Sequence, residues 1–270
     1  IEQAMMMYGG MRAVSTIIPT STGADFPHPT SDDTSNVGEL VAENAALTTQ
    51  DVSVGQKILK AFMFSSKIVK VSYQLLQDDA FDVEGWLSGL LGERIGLITN
   101  TYFPAGVGAN QPTGIMQSTT QGRAGATGTA TSVTWDDLLL LEHSIDPAYR
   151  SLGARFMFHD QTLRDIRRIK DGDGQYLWQP GVGAGAPSVI LGYPYTINND
   201  MPTMAASVNS IAFGLLNKYL IRDVRGIQLV RLEELYAANL QVGFFAFSRH
   251  DGLLIDAGTH PVKHFTNSAT

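Results

Sequence analysis

The hydrophobic pattern is clearest between residues 80 and 103, where AFDVEGWLSGLLGERIGLITNTYF sets Val83, Trp86, Leu87, Leu90, Leu91, Leu97 and Ile98 three and four residues apart. That spacing predicts a helix with one buried face. About twenty residues rising 1.5 Å each make it roughly 30 Å long, enough to serve as the spine of a domain. Asp79 or Asp82 is placed to cap its start. Gly85, Gly89, Gly92 and Gly96 recur through it, although a helical glycine costs about 1 kcal/mol relative to alanine. Their recurrence predicts close approach of another backbone, with Trp86, Gly89, Leu90 and Leu97 as the packing residues of the spine.

The remaining periodic segments are shorter. Thr134-Trp-Asp-Asp137 reads as a capping box opening the helix DDLLLLEHSI, with Pro147 beyond its end. RFMFHD predicts a buried strand, after which Asp160 caps QTLRDIRRIK, whose Leu163, Ile166 and Ile169 share a face. KDGDGQYLW predicts a tight turn and an aromatic strand, and SVILGYPYTIN a strand interrupted at Gly192-Tyr-Pro. NSIAFGLLN, LIRDVRGIQLVRL, NLQVGFFAFSRHDGLLID and PVKHFT complete a largely strand-like final third. The class is α+β, with helices interposed between antiparallel strands.

Two segments lack a core of their own. Residues 1 to 36 mix Met5, Met6, Met7 and Tyr8 with paired glycines, prolines and many Ser/Thr, which predicts short strands around RAVSTIIP and an extended arm elsewhere. An arm cannot bury its own apolar residues, so these need a surface from the same subunit or from a neighbour. Residues 37 to 56, VGELVAENAALTTQDVSVGQ, precede a β-branched and aromatic ribbon from Ile58 to Tyr73. Together they predict the two arms of a long excursion.

Composition narrows the chemistry. At 270 residues the chain can bury a sizeable core. Nineteen basic against 26 acidic residues give a net charge of -7, so the chain as a whole offers no field to attract nucleic acid or an anionic membrane. Without cysteine it has no disulfide, thiolate metal site or thiol nucleophile. No window reaches the roughly eighteen uninterrupted apolar residues of a membrane span. A chain that starts at Ile1 is consistent with removal or omission of a preceding segment.

No motif rises to a catalytic site. The six histidines contain no HExxH, and Pro261 breaks the His260/His264 spacing. GVGANQPTG and GRAGATGTA lack the Lys-Ser/Thr of a phosphate loop, so their glycines are read as turn formers. DGDG at 171 to 174 lacks the later ligands of a calcium loop. Asp78, Asp79, Asp82 and Glu84 have an ordinary place beside a helix start, with a hydrolase site as the competing reading. Arg164, Arg167, Arg168 and Lys170 form one compact basic group, a solvated or subunit-contacting face, with nucleic-acid binding the weaker alternative because no aromatics are interleaved.

Taken together, several segments resemble the major capsid proteins of tailed bacteriophages with the HK97-type fold. They are VAEN (41 to 44), SYQLLQDD (72 to 79), GVGANQPTGI (106 to 115), TWDDLLLLEHSIDPAYR (134 to 150), ARFMFHDQTLRDIRRIKDGDGQYLWQP (154 to 180) and ILGYPYTINNDMP (190 to 202). FFAFSRHDGLLIDAGTHPVKHF resembles the family's closing strands. The resemblance implies an N-terminal arm at 1–36, an E-loop at 37–70 that reaches over an adjacent subunit, a peripheral domain at 71–150 with 236–270, and an axial domain at 151–235. It implies a structural protein without catalytic residues or cofactor, self-assembling through pentamers and hexamers into an icosahedral shell around double-stranded DNA. Implied partners are a portal protein, a scaffold, a maturation protease and a decoration protein, with no membrane. The expected location is the virion, after assembly in the bacterial host cytoplasm. An encapsulin-like compartment protein shares this fold and is the alternative.

On this chain the expected intersubunit contacts are Met5, Met6, Met7, Tyr8, Glu43, Leu47, Lys57, Arg164, Arg167 and Arg168. Some members of the family join subunits by a lysine–asparagine isopeptide bond assisted by a glutamate. Here Leu47 stands near the lysine's place, and FFAFSR supplies no acid, although Asn239 lies in the acceptor region. That bond is expected to be absent.

Overall fold

The computed structural model describes residues 10–78, 82–177 and 189–270. Met5, Met6, Met7, Tyr8, Asp79 and the end of the predicted aromatic strand at Trp178 lie outside the described residues. In chain order the elements begin with β1 (Thr16–Thr20), β2 (Phe26–Ser31), β3 (Val54–Leu59), β4 (Phe62–Ser65), β5 (Val69–Ser72), α1 (Tyr73–Gln77) and the spine α2 (Val83–Ala105). α3 (Ile115–Ser118), β6 (Thr120–Ala124), α4 (Trp135–His143), α5 (Pro147–Ser151), β7 (Arg155–Phe158) and α6 (Asp160–Arg167) follow. The chain closes with β8 (Val189–Ile190), β9 (Tyr193–Ile197), β10 (Asn209–Gly214), β11 (Tyr219–Leu232), β12 (Gln241–Leu254) and β13 (Val262–Thr266).

Strand alternation on β12 meets a four-residue stripe on α2. Successive strand side chains point to opposite faces, and Val242, Phe244 and Ala246 bury one face of β12 against Val83, Leu87, Leu91 and Ile95 of the helix. Full burial of each large apolar side chain contributes about 1.5–3 kcal/mol. β12 lies in a five-stranded sheet of order β1-β11-β12-β4, with β5 also paired to β12. β1 runs parallel to β11; β4, β5 and β11 run antiparallel to β12. The helix starts where Asp82 accepts a 2.9 Å hydrogen bond from the Gly85 N–H.

The spine's packing residues differ from the expected set. Leu90 is partly buried against the sheet cluster, but Trp86 and Leu97 are each 38% exposed. A Cβ built on Gly89 or Gly92 meets nothing within 4 Å. Close approach of another backbone inside the subunit therefore does not explain these two glycines, and Trp86, Gly89 and Leu97 do not pack the spine here. The reason is that the helix carries two apolar stripes at three- and four-residue spacing. The stripe at 83, 87, 91 and 95 takes the sheet, leaving the other outside.

A second sheet, six-stranded, has the order β6-β13-β10-β7-β9-β8. α4 and α6 cover it, with Leu138, Leu141, Leu163 and Ile166 packed among Phe156, Phe158, Phe213 and Phe265. The expected capping box is present: Thr134 Oγ1 accepts from the Asp137 N–H, and the Asp137 carboxylate accepts from the Thr134 N–H. At α6 the cap is His159, whose Nδ1 accepts from Gln161 N–H at 3.0 Å, in place of the expected Asp160. From Val189 onward the interrupted strand is a hairpin, since Leu191 (φ 52°) and Gly192 (φ 83°) occupy the left-handed region between β8 and β9. Such paired positive φ values are the geometry of a two-residue hairpin turn.

The sheets interleave in sequence, so the expected domain limits at 150/151 and 235/236 do not match them. α4, expected in the peripheral part, packs on the second sheet. β11, expected in the axial part, pairs with β12 beside the spine, while the carboxyl-terminal β13 belongs to the second sheet. Asn100 of α2 links the units: it donates to Asn198 Oδ1 at 2.9 Å and accepts from the Met11 N–H at 3.3 Å.

Because the space beside Gly89 is open, Gly89→Ala is expected to stabilise the unassembled subunit by about 1 kcal/mol through helix propensity. Urea unfolding measures this directly. A loss of stability would mean that a contact inside the subunit requires the glycine.

Candidate assembly interface

β2 and β3 form a two-stranded ribbon outside both main sheets, paired from Phe26↔Leu59 to Ser31↔Val54. The excursion thus starts at residue 26, inside the segment expected to be the N-terminal arm, and 37–53 is its tip instead of a strand. β4 and β5, expected within the excursion, are paired in the body sheet. The earlier part of the expected arm is also body structure, as β1. Pro27 and Pro29 alternate along β2. Because pairing continues through both, their missing N–H groups belong to the outer edge, which blunts that edge against strand addition.

Every residue from Val37 to Ile58 is exposed. Polar bonds shape the tip: Glu39 accepts from the Thr48 N–H at 2.8 Å and from Thr48 Oγ1 at 2.7 Å. These hydrogen bonds hold the Glu39 carboxyl below its ordinary value. Gln50 donates to Asn36 Oδ1, and Asn36 donates to Asp33. Between these bonds stand exposed apolar side chains, among them Leu40 and Leu47 at 76%, and beyond them Val54 of β3 is 72% exposed. Glu43, Leu47 and Lys57 all lie on this ribbon. Arg164, Arg167 and Arg168 belong to the α6 region of the second sheet and form a separate surface. There Arg164 is paired with Asp165 at 2.9 Å, and Arg167 donates to the Tyr195 hydroxyl at 3.3 Å.

The ribbon's root is organised by a residue that the hydrophobic pattern conceals. Arg222, 1% exposed on β11, donates from Nη1 to the Leu59 and Lys60 carbonyls at 2.9 and 3.0 Å. Nη2 donates to the Thr22 carbonyl at 2.7 Å, and Nε to Thr20 Oγ1 at 3.1 Å. One guanidinium therefore ties the chain entering the ribbon to the chain leaving it. Asp251, its cross-strand partner on β12, accepts from the Lys60 and Gly252 N–H groups. Burial pushes the Asp251 carboxyl up and the Arg222 guanidinium down, each against the pull of the other's charge. The available signal was a charge inside each strand pattern, LIRDVRG and SRHDGLL.

On the opposite face Asp223 accepts from Arg12 and faces His250 Nδ1 at 2.7 Å, while His250 Nε2 lies 2.7 Å from Ser248 Oγ. This has the connectivity of a hydrolytic triad. Ser248 and His250 are 1% and 5% exposed, however, with the His250 ring beside Phe64 between sheet and helix. A substrate carbonyl could reach Ser248 only by parting that layer, so the network is a strut joining Arg12, β11 and β12. Burial raises the Asp223 carboxyl, but hydrogen bonds from His250 and Arg12 outweigh it and leave the net value lowered. Among the described residues no group of three or more His, Asp or Glu is placed to hold a metal ion, and no helix is long and apolar enough to cross a membrane.

Residues 1–262 match the family described as the Phage capsid family. No curated protein matches the chain. Among solved structures, the capsid of a native GTA particle is 25% identical with a TM-score of 0.87, covering 100% of this chain and 93% of that one. The capsid of an empty GTA particle is 26% identical with a TM-score of 0.85, covering 100% and 93%. A chain of Mycobacterium phage Adephagia shares the fold at 15% identity and a TM-score of 0.74, covering 99% and 92%.

Arg222→Ala is expected to destabilise the subunit by about 3 kcal/mol or more, because it strands Asp251 in a buried site. The ribbon should also become the first site of limited proteolysis; unchanged unfolding and cleavage would refute the clamp. Asp223 has a lowered carboxyl, so its contribution is present above the ordinary value of 3.8 and is lost as pH falls through the depressed value. Asp223→Asn should accordingly flatten the acid limb of stability in urea titrations at successive pH values.

Proposed function

The chain belongs to the phage capsid family; it is a structural, non-enzymatic major capsid protein that assembles with copies of itself into the icosahedral shell of a virion, and we propose that the ribbon is its intersubunit E-loop. The observation that carries this reading is the continuous exposure from Val37 to Ile58, with apolar side chains spread along the whole tip. A lone subunit has no partner for them. A neighbour would remove them from water at about 25 cal/mol per Å², and extended loops bring the contact into the obligate range of roughly 2,000 Å² or more.

In this reading the sheet of β11 and β12 with its spine helix is the peripheral domain, and the six-stranded sheet is the axial domain. Pentamers and hexamers arise when one patch meets a different patch on the next copy and the rotation closes. Trp86 and Leu97, exposed on the spine, face a neighbour. Arg164, Arg167 and Arg168 supply contacts around the axial domain. The shell encloses the double-stranded DNA of a tailed phage without reading its sequence. A portal protein occupies one vertex, and a scaffold, a maturation protease and a decoration protein act during assembly in the host cytoplasm. Leu47 and its neighbours offer no amine, so the loop holds the adjacent subunit without a covalent link.

Deleting residues 44–54 is expected to leave a folded, soluble subunit that forms no stable shells. Sedimentation and negative-stain electron microscopy check both properties. Normal shells from this deletion would remove the segment from the interface. Packaged DNA, as opposed to an enclosed enzyme, distinguishes the phage shell from an encapsulin-like compartment.

A further inference from the structure

The face of the five-stranded sheet turned away from the spine bears a cavity of about 420 Å³, where the β1–β2 link, β4, the β11 bulge and β12 meet. Arg225 and Arg249 line it together with Ser21, Thr22 and Gln228, and its lining contains no carboxylate. Arg225 sits in the bulge at φ 57° and commits its Nε to the Ser21 carbonyl at 2.7 Å. Arg249 is the more informative residue. Its Nε is buried without a hydrogen-bond partner, and among the described residues no acid forms an ion pair with it. The guanidinium occupies the space beside Gly23, where a Cβ would fall 2.2 Å from both terminal nitrogens. Arg249 acts repulsively on Arg222, whose own charge is offset by Asp251 and Asp25, so Arg249 is the cation left without an acid among the described residues. A partly buried guanidinium without a counter-ion favours an oxyanion that supplies both charge and acceptor atoms.

The complement is present on the same chain. Residues 32–53 contain Asp32, Asp33, Glu39, Glu43 and Asp51 and no Lys or Arg. Asp32, Asp33 and Glu39 accept hydrogen bonds within the tip. Glu43 is exposed, lies midway along the loop between Ser31 and Val54, and sits in a turn where Ala45 N–H donates to Ala42 O at 3.1 Å with Asn44 at φ 61°. Six paired residues at about 3.3 Å each carry the tip roughly 20 Å from the root, whereas the cavity includes the root at Ser21 to Gly23. The occupant therefore comes from another copy. We propose that the Arg225/Arg249 cavity receives the Glu43 carboxylate of a second subunit's ribbon. The proposal rests on the reading of the ribbon as an intersubunit loop and adds the place where its tip docks.

The chain's lack of cysteine allows a clean test. Met63 is 68% exposed on the cavity wall. Glu43→Cys combined with Met63→Cys in the full chain should yield disulfide-linked multimers from assembled shells on non-reducing gels, and neither single variant should do so. Arg249→Glu and Glu43→Arg should each lower shell yield by about tenfold or more, and the double variant should restore it. Shells that form without the disulfide ladder would overturn the docking site while leaving the intersubunit ribbon intact; normal shells from the ribbon deletion would overturn the ribbon reading itself. Arg249→Glu shells that form normally but retain less DNA would give the cavity to nucleic-acid phosphate and also overturn the proposal. Should Arg249→Glu fail to fold, the cysteine pair decides with both arginines in place.

Discussion

The root of the ribbon is held by a single buried cation. Arg222 is surrounded by carbonyl and hydroxyl acceptors from residues 20–22 and 59–60, with Asp251 across the strand pair. Withdrawing a guanidinium from water costs several kcal/mol, which hydrogen bonds and an opposite charge offset only when the geometry is well satisfied. Its planar array of donors suits this position: Nη1 alone serves two carbonyls on the exit strand, while Nε and Nη2 turn to the entry strand. Lysine has one nitrogen and could not span both. The clamp thereby fixes where the ribbon enters and leaves relative to β11 and β12. If the ribbon is the intersubunit loop proposed above, a closed shell repeats its contacts in every copy, and a fixed departure angle would then matter more to assembly than the net energy of the pair.

Much of the body was legible because its signals are local. The spine helix, the Thr134–Asp137 capping box and the strands around β7 and β10 to β13 follow from periodicity and capping chemistry within a few residues. What periodicity could not choose was the stripe of α2 that turns inward, since Trp86 and Leu97 fit three- and four-residue spacing as well as Leu87 and Leu91 do. β2 escaped notice because FPHPTS contains two prolines, which resemble a turn until an edge strand is found to accommodate them. The sheets do not follow the expected domain limits for a different reason. β6 pairs with β13 and β1 with β11, and such distant pairings leave no mark on a local pattern. Glu43, Leu47 and Lys57 were recognisable as ribbon residues because their segment lacked a core. Arg222 and Asp251 became understandable only when the fold brought the ribbon's two ends against the same pair.

The subunit divides into parts of unequal stability, and that inequality suits assembly. The spine and its sheet bury Val83, Leu87, Leu91 and Ile95 against Val242, Phe244 and Ala246, so they hold their shape alone. The tip buries no side chain and keeps its turns through Glu39–Thr48 and Gln50–Asn36. Local stability follows buried contacts; among the described parts the tip, which buries none, therefore changes conformation readily. Its acids are interspersed with Val37, Leu40, Leu47 and Val52, which opposes tip-to-tip association through like charge while leaving apolar surface for an oppositely charged site. In the proposed shell, docking would desolvate those apolar groups and compensate the arginines of the cavity in one step. Ribbon order and subunit contact would then arise together, making the loop's weakness in isolation a condition of its selectivity for the assembled neighbour.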